Sequence, residues 1–144
     1  MTDDLNCKEH PRFINFAIIH SPTNPIITGM IVYGIPNCNT VKKSLDWLKL
    51  HQIDFEFHDF KKKGVTAEKL NEWCGVFGWE NILNKKGTTW KKLTPEEQLV
   101  AKDQAGAVQI LLKYTSAIKR PVVEKDGKAI LLSFNEDQYR ALLK

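Results

Sequence analysis

Apolar and polar positions follow two different periods along the chain, and together they predict an α/β fold. Residues Met30–Ile35 form a nearly continuous apolar run, which is typical of a strand buried on both faces. A helix is predicted next, over about residues 38–50. Its apolar stripe recurs at helical spacing, at Val41, Leu45 and Leu48. Residues 55–58 alternate between apolar and polar and predict a second, half-exposed strand, which completes a βαβ unit.

The middle of the chain, about residues 64–115, predicts a block of helices. Thr66 is placed to cap the first of them and Gly78 to end it. The segment Thr94–Glu97 has the residues of a strong helix start, with Thr at the N-cap, Pro at the next position and Glu two residues later. A further helix is predicted over about residues 103–113. Its buried positions are expected to be Val108, Leu111 and Leu112.

Polar runs and turn residues separate these elements. Lys61–Gly64 predicts a solvated turn, and residues 84–89 predict a polar loop. Asp126-Gly127 predicts a hairpin between two strands, and Asn135 is placed to cap a last helix over Glu136–Leu143. The order is therefore βαβ, helices, then ββα. This order predicts a thioredoxin-like mixed sheet with an inserted helical subdomain.

Residues 1–29 do not share this patterning. They contain three prolines and one short apolar patch, Phe13–Ile19. We expect them to be a flexible N-terminal extension, with Met30 opening a single domain over residues 30–144. The alternative is an extra edge strand built on Phe16–Ile19. Acidic residues near the start, without a basic segment before the apolar patch, do not predict a signal peptide.

The composition argues against several classes of function. The chain has 144 residues and a net charge of +4, which fits attraction of small anions better than dedicated nucleic-acid binding. It has no apolar run of membrane-spanning length, so no membrane partner is expected. The three cysteines, Cys7, Cys38 and Cys74, form no CxxC and no paired Cys/His spacing, so neither a disulfide framework nor a metal site is predicted. Lone thiols suit the reducing cytoplasm, which is the expected location.

Three sequence blocks resemble the arsenate reductase (ArsC)/Spx family, and most closely its YffB-like branch. They are Tyr33–Lys43, Asn84–Leu93 and Ile118–Pro121. The resemblance covers about residues 30–144 and implies a thioredoxin-like fold with a helical insert. It also implies that Cys38 is the attacking thiol and that Arg120 binds the oxyanion. A cis bond between Arg120 and Pro121, facing the thiol, is implied as well.

The chain also departs from two branches of that family. Arsenate reductases of this kind carry a histidine where Gly34 stands, and arginines where Asn84 and Leu132 stand. Spx-type regulators carry a CxxC that Val41 breaks. These departures count against arsenate reduction and against switching by an internal disulfide.

The position of Cys38 at the start of a helix gives the thiol its chemistry. With Asn37 as the N-cap, Cys38 would lie in the first turn, where free amides and the helix dipole stabilise a thiolate. Lowering the pKa from about 8.5 to 6.5 requires about 2.7 kcal/mol, whereas a helix dipole supplies about 0.3–1 kcal/mol and at most about 2. A nearby cation is therefore needed, and Arg120 is the first candidate. The alternative is that Cys38 is an inert packing residue, as Cys74 is expected to be on its apolar helix stripe.

The function that these observations predict is glutathione-dependent thiol-disulfide exchange, with Cys38 and Arg120 as the catalytic pair. No bound cofactor is expected. Glutathione is the expected co-substrate, and a glutaredoxin-type protein is a candidate reductant. The residues expected to bind substrate are Pro36, Asn37, Asn39, Thr40, Lys42, Lys86 and Pro121. Two alternatives stay open: reduction of arsenate or another oxyanion, and a non-enzymatic, Spx-like regulator that binds a protein partner rather than nucleic acid directly.

Overall fold

Four strands form one mixed sheet in the order β2-β1-β3-β4. The strands are β1 (Met30–Gly34), β2 (Glu56–Asp59), β3 (Val122–Lys125) and β4 (Lys128–Leu132). The structure is a computed structural model and describes residues 29–144. β1 pairs in parallel with β2 and antiparallel with β3, and β3 pairs antiparallel with β4. The central strand β1 therefore carries the chain directly toward Cys38.

Eight α-helices complete the described part of the chain. They are α1 (Asn39–Leu50), α2 (Phe60–Lys63), α3 (Ala67–Phe77), α4 (Trp79–Ile82), α5 (Thr88–Lys91), α6 (Pro95–Val100), α7 (Gln104–Lys113) and α8 (Glu136–Leu143), with a 3₁₀ turn at Thr115–Ala117 before β3. Helices α2 to α7 all lie between β2 and β3. This order is the thioredoxin-like arrangement with inserted helices, and the predicted fold class is confirmed.

Alternation along β1 divides the core between two faces of the sheet. Tyr33 belongs to a cluster with residues of α3, α4 and α7, whereas Val32 belongs to a cluster with residues of α1 and α8. Because successive side chains of a strand point to opposite faces, Gly34 lies on the same face as Val32. The end of β1 therefore faces the first turn of α1.

A buried carboxylate fastens α3 to the sheet. Glu124 of β3 is 1% exposed and accepts hydrogen bonds from Trp73 Nε1 at 2.8 Å and from the Tyr33 hydroxyl at 3.1 Å. Lys69 Nζ lies 3.1 Å from the same carboxylate. Three donors therefore compensate the cost of burying this charge, and they come from both β1 and α3.

Most element ends lie where turn and capping residues placed them. Thr66 Oγ accepts from the Lys69 amide, and Gly78 ends α3 with φ 89°. Thr94 and Glu97 form a complete capping box at the start of α6. Asn135 caps α8 through the Gln138 amide.

Several predicted details are wrong. The lysines after β2 form the helix α2 rather than a turn, because Asp59 caps it through two amides. Part of the predicted polar loop is the helix α5. Leu112 is 42% exposed, and Ile110 takes the buried position instead. The second strand begins at Glu56 and ends at Asp59, one residue later than predicted.

The N-terminal extension was expected over residues 1–29, and the alternative strand lies within it. Residues 1–28 are outside the described part of the chain. The single-domain boundary at Met30 therefore stays a prediction. Among residues 29–144, no helix is long and apolar enough to cross a membrane.

Candidate functional site

Cys38 is the N-cap of α1. Its backbone is extended, with φ −147° and ψ 123°, and its carbonyl accepts the Lys42 amide at 2.9 Å. The prediction that Asn37 is the N-cap is therefore wrong by one residue. The shift has a chemical consequence, because the side chain of an N-cap residue faces the second and third amides of its helix. Here these amides belong to Thr40 and Val41.

The surroundings of the half-buried Cys38 thiol favour its ionised form. Burial raises the pKa, but the Val41 amide, the charge of Arg120, the Thr40 amide and a contact with the Arg120 side chain together lower it below its ordinary value. The thiol makes no capping hydrogen bond of normal geometry. The amides thus act on the sulfur through the positive N–H ends of their dipoles, and the guanidinium acts through its charge.

Arg120 is held in place by the backbone around it. Its Nη1 donates to the carbonyls of Ser116 and Ile118, at 2.8 and 3.0 Å. Ser116 belongs to the 3₁₀ turn before β3, so this turn positions the guanidinium. The Nε of Arg120 is buried and has no hydrogen-bond partner in the part of the chain that the structure describes.

Pro121 follows a cis peptide bond and is buried, as the family resemblance implied. Its carbonyl accepts the Ser133 amide at 2.7 Å, and Ser133 adopts a left-handed backbone with φ 66°. The Tyr139 hydroxyl reaches the Ser133 carbonyl at 3.4 Å and Ser44 of α1 at 2.7 Å. Helix α8 thus ties the loop at Pro121 to the helix that carries Cys38.

A small cationic cavity lies along the segment that leads into Arg120. It measures about 240 Å³ and is lined in part by Asn84, Lys85, Lys86 and Lys119. The Lys85 ammonium lies over the rings of Trp79 and Trp90, 5.4 and 5.6 Å from their centroids. Such contacts restrain a lysine without neutralising its charge. Only one carboxylate, Glu80, lines this cavity.

A larger cavity of about 310 Å³ lies elsewhere, lined by residues of β1, β2 and α3 that include Tyr33, His58 and Lys69. Neither Cys38 nor Arg120 lines it. His58 is occupied there, because its Nε2 contacts the Gly64 carbonyl at 2.9 Å. We therefore place the chemistry at Cys38 and not in this larger space.

The residues predicted to be catalytic or to bind substrate differ in their exposure. Cys38, Thr40, Arg120 and Pro121 are half-buried or buried at the end of α1 and the start of β3. The others are exposed: Pro36, Asn37, Asn39, Lys42 and Lys86. Lys86 lines the cationic cavity and is not among the main causes of the lowered pKa of Cys38. Lys42 takes part through its backbone amide, which bonds the Cys38 carbonyl.

Cys74 lies in a different setting. It is 4% exposed within α3, and burial raises the pKa of its thiol. The expectation that it is a core residue is confirmed. Among residues 29–144, no group of three or more His, Cys, Asp or Glu side chains could hold a metal ion.

Three features of the site were not predicted from the sequence. The Val41 amide is one, and an N-cap assignment at Cys38 would have found it, since the third amide after the cap is the usual partner. The carbonyl of Ser116, which holds Arg120, carries no sequence signal. Lys119 adds charge to the cavity and precedes Arg120 directly.

Comparison with known proteins identifies the family of the chain. The model of the ArsC family matches residues 33–142. An uncharacterized protein from Haemophilus influenzae is 42% identical over 110 residues, which are 76% of this chain and 95% of that protein. The global transcriptional regulator Spx of Streptococcus pyogenes is 26% identical over 110 residues, covering 75% of this chain and 80% of the regulator.

Solved structures give the same result. A protein described as YFFB is 40% identical, with a TM-score of 0.76 over 80% of this chain and 99% of its own. An arsenate reductase (ArsC) related protein from Brucella melitensis is 41% identical, with a TM-score of 0.63 over 84% of this chain and 99% of its own. Because the family model spans most of the chain and both structures share its fold, this chain is a member of the ArsC family.

Proposed function

We propose that this protein is a thiol-disulfide oxidoreductase that uses glutathione, with Cys38 as the nucleophile and Arg120 as its charge partner. The observation that carries the proposal is a half-exposed thiol whose pKa is lowered by helix amides and a guanidinium. A thiolate is the attacking form of cysteine, and a pKa nearer neutral pH increases its fraction.

The reaction takes two exchange steps. The Cys38 thiolate attacks the glutathione sulfur of a mixed disulfide. A new bond forms between Cys38 and glutathione, and the old disulfide bond breaks to release the substrate thiolate. A second glutathione then attacks the glutathione sulfur bound to Cys38, which frees Cys38 as a thiolate and releases oxidised glutathione. The proton of the second glutathione passes through solvent to the released thiolate. The mixed disulfide and one reduced glutathione thus become the substrate thiol and oxidised glutathione, so one disulfide is lost and one is formed and no further oxidant or reductant is needed.

An external thiol is required because the described chain offers no resolving cysteine near Cys38. Cys74 is buried in α3, and the position three after Cys38 is Val41. Cys7 lies outside the described residues. Glutathione suits this step, and a glutaredoxin-type protein is a second source of reducing thiol.

The charges around the site suit the carboxylates of glutathione. The charge of Arg120 acts on the thiol, and the cavity lined by Lys86 and Lys119 holds further positive charge. We assign substrate binding to Pro36, Asn37, Asn39, Thr40 and Lys42 around the thiol, to Lys86 at the cavity, and to Pro121 beside Arg120.

Mass spectrometry after exposure to oxidised glutathione tests the proposal. We expect one glutathione adduct, on Cys38, and an unmodified Cys74. The adduct should disappear on addition of reduced glutathione. With reduced glutathione present, the protein should also reduce the mixed disulfide of glutathione and 2-mercaptoethanol. An unmodified Cys38 under these conditions would contradict the proposal.

Reduction of arsenate is the second candidate. The positive charge of Arg120, which helps to lower the pKa of Cys38, favours oxyanion binding, and a relative at 41% identity is described as arsenate reductase-related. Against it, Gly34, Asn84 and Leu132 replace the histidine and arginines expected of such enzymes. Arsenate turnover in the presence of glutathione and glutaredoxin would favour this candidate, and its absence would leave disulfide exchange as the reaction.

A non-enzymatic regulator is the third candidate, supported by the relatives described as Spx. Leu99 and Val100 of α6 are 73% and 39% exposed, which leaves apolar area on the helical insert for a protein partner. Partner binding that survives Cys38→Ser, together with the absence of any exchange activity, would favour this candidate.

A further inference from the structure

We propose that Gly34 is a positioning residue for the Cys38 thiol, because its missing side chain lets Val41 close onto β1 and fixes the first turn of α1 at the sulfur. The inference rests on the proposed function, since it concerns the same thiol. It adds a determinant that lies outside the reacting groups.

Space, and not backbone conformation, requires a glycine at this position. A Cβ built on Gly34 would lie 2.8 Å from Cγ2 and 3.2 Å from Cγ1 of Val41. Gly34 is not among the glycines with positive φ, which are Gly29, Gly64, Gly78 and Gly127. Any residue could adopt its backbone angles, so the close approach of Val41 is what excludes a side chain.

Val41 has little freedom to yield. It is fully buried, and its branched side chain keeps one preferred χ1 rotamer in a helix. A methyl group at position 34 would therefore push the residue as a whole, and the first turn of α1 would move with it. The other neighbour, Phe57 Cε1 at 3.6 Å, is at ordinary contact distance and adds no such pressure.

The movement would reach the thiol because Val41 supplies the amide with the largest favourable effect on the Cys38 pKa. Gly34 ends β1, and only Ile35, Pro36 and Asn37 separate it from Cys38. The contact between Gly34 and Val41 thus sets the distance between the strand and the amino end of the helix.

The test compares four full-length proteins: the unaltered chain, Gly34→Ala, Val41→Ala and the double variant. The readout is the pH midpoint of Cys38 alkylation by iodoacetamide, followed on the Cys38 peptide by mass spectrometry. Gly34→Ala should raise the midpoint by about half a pH unit, the scale of one helix-end contribution. Val41→Ala removes the branched side chain and is the reference for the double variant. The double variant should match the midpoint of Val41→Ala and lie below that of Gly34→Ala, because the methyl group added at position 34 then meets no valine methyl group.

The outcomes separate the two proposals. A midpoint in the unaltered chain at or above that of an ordinary cysteine would overturn the proposed function, and this inference with it. A low midpoint that Gly34→Ala leaves unchanged, or a double variant whose midpoint does not match that of Val41→Ala, would overturn the inference alone. If Gly34→Ala does not fold, folding of the double variant with the midpoint of Val41→Ala supports the inference. Failure of both to fold overturns it, because contact with Val41 would then not be what excludes alanine.

Discussion

The amino end of α1 and the middle of α3 each carry a cysteine, and the two surroundings move the same thiol in opposite directions. At Cys38, burial is outweighed by two helix amides and a guanidinium, and the pKa is lowered. At Cys74, burial acts alone and raises the pKa. Cys38 is half-buried and Cys74 is buried, and burial by itself raises the pKa of both thiols. What distinguishes them is the presence of oriented positive charge.

The largest expected difference between the two regions is in chemistry. Cys38→Ser should abolish formation of the glutathione adduct and all exchange activity, because a hydroxyl cannot form a disulfide. Cys74→Ala is the matched control and should keep both, since its thiol is buried away from the site. The measurement is adduct mass spectrometry together with reduction of a glutathione mixed disulfide. Exchange activity that survives Cys38→Ser would assign the nucleophile elsewhere.

Removing the cation of Arg120 should raise the pKa of Cys38, the direction in which burial already shifts Cys74. Arg120→Met should raise the alkylation midpoint of Cys38 by about one pH unit, and lower exchange at neutral pH by up to about tenfold, since an opposite charge nearby favours the ionised form. The alkylation rate measured across pH gives the midpoint, and reduction of a glutathione mixed disulfide at neutral pH gives the exchange rate.

Lys119→Met is the control for charge alone. It removes one cation next to Arg120 in sequence, but Lys119 is not among the main causes of the lowered pKa of Cys38. The midpoint should therefore stay near that of the unaltered chain. Equal effects of the two substitutions would show that general positive charge, rather than the guanidinium, favours the thiolate.

The effects on stability should have the opposite order: a substitution at Cys74 should reduce the free energy of unfolding more than one at Cys38. Cys74→Ser places a hydroxyl among apolar neighbours and should cost about 1–3 kcal/mol of unfolding free energy. Cys38→Ser should change it by less than about 0.5 kcal/mol, because serine is itself a preferred N-cap residue. Chemical denaturation of both variants checks this. A larger loss for Cys38→Ser would assign Cys38 a packing role.

The smallest expected effect is a pair of opposite pH dependences. Cys38, with a lowered folded pKa, adds stability above the ordinary cysteine pKa and loses it as pH falls through the folded value. Cys74, with a raised folded pKa, adds stability below the ordinary value and loses it as pH rises. Around pH 8.5, the stability advantage over Cys38→Ser should grow with pH while that over Cys74→Ala shrinks, each by less than about 1 kcal/mol. Denaturation at several pH values measures both slopes, and slopes of the same sign would contradict the comparison.

Local signals in the sequence were enough to predict the fold and to single out the thiol. Capping residues such as Thr66 and Thr94 act through neighbours three positions away, so the sequence alone locates the ends of their helices. The hairpin at Asp126-Gly127 is equally local, since both residues adopt the positive φ that such turns require.

The features that could not be predicted depend on distant contacts. The carbonyls of Ser116 and Ile118 hold Arg120 only because of the turn before β3. The contact of Gly34 with Val41 depends on how closely α1 packs on β1. The exposure of Leu112 depends on which side of α7 meets the rest of the core, and the apolar spacing wrongly predicted that Leu112 rather than Ile110 is buried.

The most direct test of the central claim is alkylation of Cys38 and Cys74 across pH in one sample of the full-length protein, with each peptide quantified by mass spectrometry. We expect the alkylation midpoint of Cys38 to lie clearly below about 8.5, the ordinary value. Cys74 should be modified slowly and only at higher pH. A Cys38 midpoint at or above the ordinary value would contradict the central claim.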